Sequence, residues 1–278
     1  MLKKILTSCI ALLTLWSVDA QQLTTPAPSP TTSVKQDFGL SSIELSYSRP
    51  GMKGRKIFGD LVPYGQVWRT GANGATTLTF GDEVTIGDKK IAPGKYGLLT
   101  IPGENEWTII ITKQTDVTSP AAYKKDQDIV RVMLKPQMLP FSVETFTIGV
   151  NDIKSTSCTI GIMWDNVYVG LPVSTNIDDK VMAQIKTAMS SENPPYFNAA
   201  MYYMENGKDI NQALEWFTKA EKQSPDAFWV VYQKAKCLAK LGKKSEAIES
   251  AMKSKDMAAK ASNGDYVKLN EDLIKSLK

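Results

Sequence analysis

Between Asp37 and Thr175 the hydrophobic residues recur at every second position, and after Asn176 they recur every three to four. In the first stretch Ile43-Leu45-Tyr47, Leu78-Phe80, Trp107-Ile109-Ile111, Val130-Val132-Leu134, Phe146-Ile148-Val150 and Ile160-Ile162-Trp164 each alternate with more polar neighbours. A period of two puts one set of side chains on a single face of an extended chain, so each run predicts a half-buried β-strand. Turn-forming residues separate the runs: Gly87-Asp88, Pro93-Gly94, Pro102-Gly103-Glu104-Asn105 and Asn151-Asp152. Many short strands divided by such turns, with no long helical pattern between them, predict an antiparallel β-sandwich or barrel over residues 37–175.

The second stretch, 176–278, predicts an all-α domain, which makes the whole chain a two-domain α+β protein. Val181-Ile185-Ala188-Met189 marks a first amphipathic helix, and Pro194-Pro195 restarts the chain. A recurrence then appears. Ala213, Phe217 and Ala220 precede Pro225, and Ala247 follows Ala213 at the thirty-four-residue spacing of tetratricopeptide repeats, with turn glycines at Gly207 and Gly242. The pattern resembles that repeat only in part, because Ala251 and Ser254 stand in the second copy where Phe217 and Ala220 stand in the first. Two such hairpins need neighbours to bury their faces, so the helix from Asp178 and a last helix near Asp265–Leu277 are expected to act as caps. Most aromatic residues of this part, Trp216, Phe217, Phe228 and Tyr232 among them, sit at core spacing; any excess would line a groove for a peptide.

The N-terminus reads as an export signal. Lys3 and Lys4 precede an apolar run, Ile5 to Trp16, that is too short to span a bilayer, and Val18-Asp19-Ala20 supplies small residues for cleavage after Ala20. Leu6-Thr7-Ser8-Cys9 offers a lipobox-like alternative with Cys9 as a lipid anchor, although the apolar run continues past that cysteine. Residues 21–36 are rich in Pro, Ser and Thr and read as an extended tether. The chain is therefore expected to be exported, periplasmic or secreted, with no transmembrane segment after the signal. Cys158 and Cys237 remain, one per domain, and read as buried free thiols rather than a disulfide framework.

Charge and composition narrow the chemistry. The chain contains no histidine, which removes Ser-His-Asp and Cys-His nucleophilic systems and most zinc, copper or haem sites. No cofactor and no metal are expected. Counting along the sequence, residues 36–175 carry 14 basic and 14 acidic side chains and residues 176–278 carry 16 and 14. Neither part has the basic excess of a nucleic-acid binder.

Only four of the 33 basic residues are arginine: Arg49, Arg55, Arg69 and Arg131. Three fall in one Gly-rich segment, Tyr47-Ser-Arg49-Pro-Gly-Met-Lys53-Gly-Arg55 followed by Tyr64-Gly-Gln-Val-Trp68-Arg69-Thr-Gly-Ala-Asn73. Arginine in a lysine-using chain points to a need for the planar, bidentate guanidinium. Two readings compete. In one, Arg49, Lys53, Arg55, Arg69 and Asn73 hold a small anionic or carbohydrate ligand while Tyr64 and Trp68 stack on it. In the other, the arginines bridge loop carbonyls or carboxylates, pinning an irregular connection, and Trp68 belongs to the core.

The strings Arg49-Pro-x-x-Lys53-Gly-Arg55 and Trp68-Arg69-x-Gly-Ala-Asn73, followed by IAPGKYGLLTIP and EWTII, resemble the bacterial domain-of-unknown-function family 2911 over about Phe38 to Val173. The resemblance implies a secreted or periplasmic protein of a Bacteroidetes-like bacterium, sometimes with a helical-repeat tail, and carries over no catalytic residue. The expectation is thus a binding or scaffold module whose helical tail docks a protein partner. The alternative is an enzyme acting on cell-envelope carbohydrate through carboxylates such as Glu44, Asp60 or Glu144, since paired carboxylates do acid–base work without histidine.

Overall fold

The structure, a computed structural model, describes residues 24–278. The signal segment, the Ala20 cleavage position, Cys9 and the first residues of the expected tether lie outside the described residues. The chain divides into two compact units between Asn176 and Ile177.

The first unit is built from β1 (Thr31–Phe38), β2 (Ser41–Ser48), β3 (Thr77–Phe80), β4 (Val84–Ile86), β5 (Lys89–Ile91), β6 (Gly94–Ile101), β7 (Trp107–Thr112), β8 (Asp128–Leu134), β9 (Gln137–Asn151) and β10 (Ser157–Ser174). They form two antiparallel sheets, one ordered β1-β2-β3-β6-β7-β8 and the other β5-β4-β10-β9. The alternating residues do what their period requires. Ile43, Leu45 and Tyr47 from one sheet meet Phe146, Ile148, Ile160, Ile162 and Trp164 from the other in a shared core. Tyr47 also ties the sheets by a polar bond: its hydroxyl donates to the Ile148 carbonyl and accepts from the Ile148 amide, each at 2.8 Å.

Two features depart from the pattern. Thr31–Phe38, whose first six residues fall in the expected tether, pairs with β2 along its whole length. An edge strand needs one hydrogen-bonded flank and little core; Thr, Ser and Val suit the extended backbone, and only Phe38 of β1 is buried. The second departure is β10. An unbent strand of eighteen residues would span about 60 Å and separate Gly161 from Tyr168 by roughly 23 Å. Instead a Cβ on Gly161 would lie 2.7 Å from the Tyr168 ring, one on Gly170 would lie 2.9 Å from Thr159, and the Thr175 amide donates to the Thr156 carbonyl. The strand therefore doubles back at Asp165–Asn166, where Asp165 takes the left-handed φ of 50° and the pairing to β9 shifts register.

A small second core covers the outer face of the larger sheet. Leu99 and Ile110 are buried there under Val117 of the 113–127 connection, which carries two short 3-10 turns, Pro120–Ala122 and Lys125–Gln127. Tyr123 fastens this connection to β8 by donating its hydroxyl to Asp128 and accepting from Arg131, and Arg131 is itself ion-paired to Asp128 at 2.7 Å.

The second unit contains α1 (Asp178–Ala188), α2 (Tyr196–Glu205), α3 (Ile210–Gln223), α4 (Phe228–Lys240), α5 (Lys244–Lys260) and α6 (Gly264–Leu277). Gly207 and Gly242, at φ 66° and 74°, turn α2 into α3 and α4 into α5. Phe217 is fully buried with Ala200, Ala213 and Cys237. The departures from the repeat at Ala251 and Ser254 have a packing reason. Both are fully buried in α5; Ser254 donates to the Phe228 carbonyl at 2.8 Å and accepts from Asn270 of α6 at 3.0 Å. Small residues let a helix on each side close on α5, and a phenylalanine at 251 would hold them apart. Among the described residues no helix is long and apolar enough to cross a membrane, and no cluster of three or more ligating side chains could hold a metal ion.

Two expectations follow. A Cβ on Gly97 in β6 would sit 2.0 Å from the backbone carbonyl of Gln114, whereas one on Gly74 meets nothing within 4 Å. Gly97→Ala should cost about 2–4 kcal/mol in urea unfolding and Gly74→Ala about 0.5 kcal/mol or less. Burial pushes the thiols of Cys158 and Cys237 up to about 11. In a chain starting at Gln21, an aromatic disulfide reagent at pH 7.5 should therefore label neither thiol until guanidinium unfolds the protein, after which both react.

Candidate functional site

The Gly-rich segment between β2 and β3 is irregular over almost its whole length, so its polar backbone groups need partners from outside regular structure. Of the seven residues singled out from sequence, Arg55 and Trp68 supply such partners, while Arg49 and Asn73 tie the segment to neighbouring chain. Arg49 donates from Nε to the Phe146 carbonyl at 3.2 Å and from Nη2 to the Thr147 hydroxyl at 2.9 Å, both in β9. Arg55 closes its own turn, donating to the carbonyls of Met52 at 2.8 Å and Gly51 at 2.6 Å. Asn73, at φ 56°, donates to the Ser29 carbonyl at 3.0 Å and holds the chain ahead of β1. Lys53 is exposed; its amide donates to Glu144 at 2.9 Å.

Trp68 packs half-buried against the core. Its amide and carbonyl pair with Thr100 at 2.7 and 3.0 Å, and its indole N–H donates to the Gly71 carbonyl at 3.1 Å. The ring stacks on Trp164 at 5.9 Å and meets Phe146 and Phe58 edge-on at 5.1 and 6.3 Å. The arginines do not converge. Arg49 and Arg55 serve backbone on the β9 side of the segment, Arg69 faces the 113–127 connection, and Arg131 lies on β8. Glu44 is ion-paired with Lys35 at 2.9 Å, Glu144 accepts from Lys53 and Asp60 is exposed, so the three carboxylates considered for catalysis do not share a site.

Tyr64 opens onto a cleft. Gly59, at φ 81°, lets the tyrosine ring lie against its Cα, since a Cβ there would come within 2.8 Å of the ring. The ring is thereby held at the rim of a cavity of about 220 Å³, floored by Phe58 and Trp107. Lys56, Glu104, Asp165 and Asn166 complete the polar wall. Asp165 accepts from Ser142 at 3.0 Å. The side chains of Lys56, Tyr64, Glu104 and Asn166 have no hydrogen-bonding or ion-pair partner among the described residues. One amine, one phenol, one carboxylate and one amide thus face the same space, with an aromatic ring beside them.

Sequence reading missed Lys56, Glu104, Asp165 and Asn166. Glu104 stood within a recognised turn, and Asp165-Asn166 follows the alternation ending at Trp164 in a way that marks a hairpin tip. That signal was present but did not say which turns would meet.

Fold and cleft together define an antiparallel two-sheet domain closed at one end by a pinned loop that borders a small polar cleft. The chain belongs to the family described as "Protein of unknown function (DUF2911)", whose model matches residues 29–173, from just before β1 to the penultimate residue of β10. Comparison with curated proteins and with solved structures returns no significant match.

Because Arg49 bonds two groups of a part-buried strand, Arg49→Ala should lower unfolding stability by about 1.5–3 kcal/mol. Arg55→Ala, at an exposed turn, should cost about 1 kcal/mol or less. Parallel urea melts check the contrast.

Proposed function

We propose that this is an exported, non-catalytic binding module whose sandwich recognises a single neutral sugar or similar polyol ring in the Tyr64 cleft. The observation that carries this reading is the convergence of four unengaged polar side chains, of both charges and neutral, on one small aromatic-edged cavity. A polyol presents alternating donors and acceptors with an apolar ring face, which matches such a wall. Volume supports a small ligand: about 220 Å³ falls below the range of about 300–1,000 Å³ typical of drug-sized sites, so one ring is favoured over a long chain. Export rests on the Lys3-Lys4 and Ile5–Trp16 pattern followed by Ala20. The helical unit is proposed to dock protein, supported by the thirty-four-residue recurrence and by Trp229 of α4, which is 44 % exposed.

The test is saturation-transfer NMR and calorimetry with glucose, galactose and N-acetylglucosamine. Saturable binding of at least one is expected, weakened about tenfold by Tyr64→Ala and by Asn166→Ala while the circular dichroism spectrum stays unchanged. Absence of transfer from all three sugars, or variants binding like the parent, would sink the reading. Release of nitrophenol from aryl glycosides, abolished by Glu104→Gln, would replace it with a hydrolytic one.

A further inference from the structure

A second cavity, of about 150 Å³, lies against the same loop and is lined by Arg69. Arg69 follows the Trp68–Thr100 bridge and precedes Thr70, a fully buried residue held at φ 58° with its hydroxyl bonded to Thr100 at 3.2 Å. The backbone that carries the guanidinium is therefore fixed. One nitrogen, Nη1, donates to the Thr118 carbonyl at 3.1 Å. The Nε is buried and has no partner among the described residues. A buried donor on a charged group is costly to leave unmet, and the residue that carries it lines the cavity.

The cavity wall has the composition of an anion site. It contains no aspartate or glutamate, and among the described residues Arg69 has no ion-pair partner. Gln66 and Ser119 also line it, and neither side chain has a hydrogen-bonding partner among the described residues. Leu61, Pro63 and Pro120 supply apolar surface beside these donors. We propose that Arg69, Gln66 and Ser119 form a site for a small carboxylate, with the guanidinium meeting its oxygens and the apolar wall taking a short acyl part. One planar fork matches one carboxylate bidentately. This site is distinct from the Tyr64 cleft and stands without it.

The chain has four arginines, so four Nε–H signals appear in a nitrogen-15 spectrum, and the one missing from Arg69→Lys is assigned to Arg69. Sodium propionate, titrated at constant ionic strength against sodium chloride, should move that signal saturably and leave the other three in place. Gln66→Ala and Ser119→Ala, which keep Arg69, should each weaken the response about two- to tenfold. The site is refuted if the Arg69 signal responds to propionate no more than to chloride, or if both alanine variants titrate like the parent. Saturation by inorganic phosphate without saturation by propionate would overturn the carboxylate assignment.

Discussion

The seating of Trp68 fixes the end of the sandwich on which the candidate sites depend. Its backbone extends the larger sheet by one bridge to Thr100, while its ring leaves that sheet and stacks on Trp164 of the other. Phe146 and Phe58 close on its edges, and Phe58 in turn meets Trp107 at 5.0 Å. A single residue thus ties both sheets and the irregular segment to one aromatic cluster. Such contacts add about 0.5–1.5 kcal/mol per pair beyond burial. Several of them, acting together, can immobilise a loop that has almost no regular hydrogen bonding of its own.

That immobilisation explains the arginine usage. A guanidinium presents several donors in a fixed plane and can serve two acceptors that diverge from an irregular backbone, which an ammonium on a flexible stem does less well. Arg55 does this at Gly51 and Met52, and Arg49 uses the same fork to tie the segment to the Phe146 carbonyl and the Thr147 hydroxyl of β9. Arginine in this segment is therefore first a device for pinning an irregular connection, to itself or to the neighbouring strand.

The layered organisation was legible in the sequence because it follows from local periodicity. Ile43-Leu45-Tyr47 and Ile160-Ile162-Trp164 could face a core only as strands, and Ala213-Phe217-Ala220 only as a helix. Pairings that depend on long-range closure were not legible. The polar residues of β1 look like a linker until β2 is placed beside them, and eighteen residues of β10 hide a reversal betrayed by Asp165-Asn166 at its tip and by its glycines, since Gly161 and Gly170 are small where the returning half passes. The candidate cleft was half legible. Tyr64 stood out by its company, but Lys56, Glu104, Asp165 and Asn166 come from three separate turns whose meeting is a property of the sheet order.

What distinguishes Arg69 from the other arginines is the balance between its donors and its surroundings. Arg49 spends its side chain on β9, Arg55 on its own turn, and Arg131 on Asp128 and Tyr123. Arg69 has one carbonyl and a cavity instead of a second acceptor, although its backbone is among the most tightly held in the loop. A rigid backbone that leaves a charged fork part-used cannot relax by moving the loop, which leaves the guanidinium available to a partner in the cavity. The rarity of arginine thus marks where backbone needs a fork, and the position where the fork is not used up is where a ligand has both room and reason to bind.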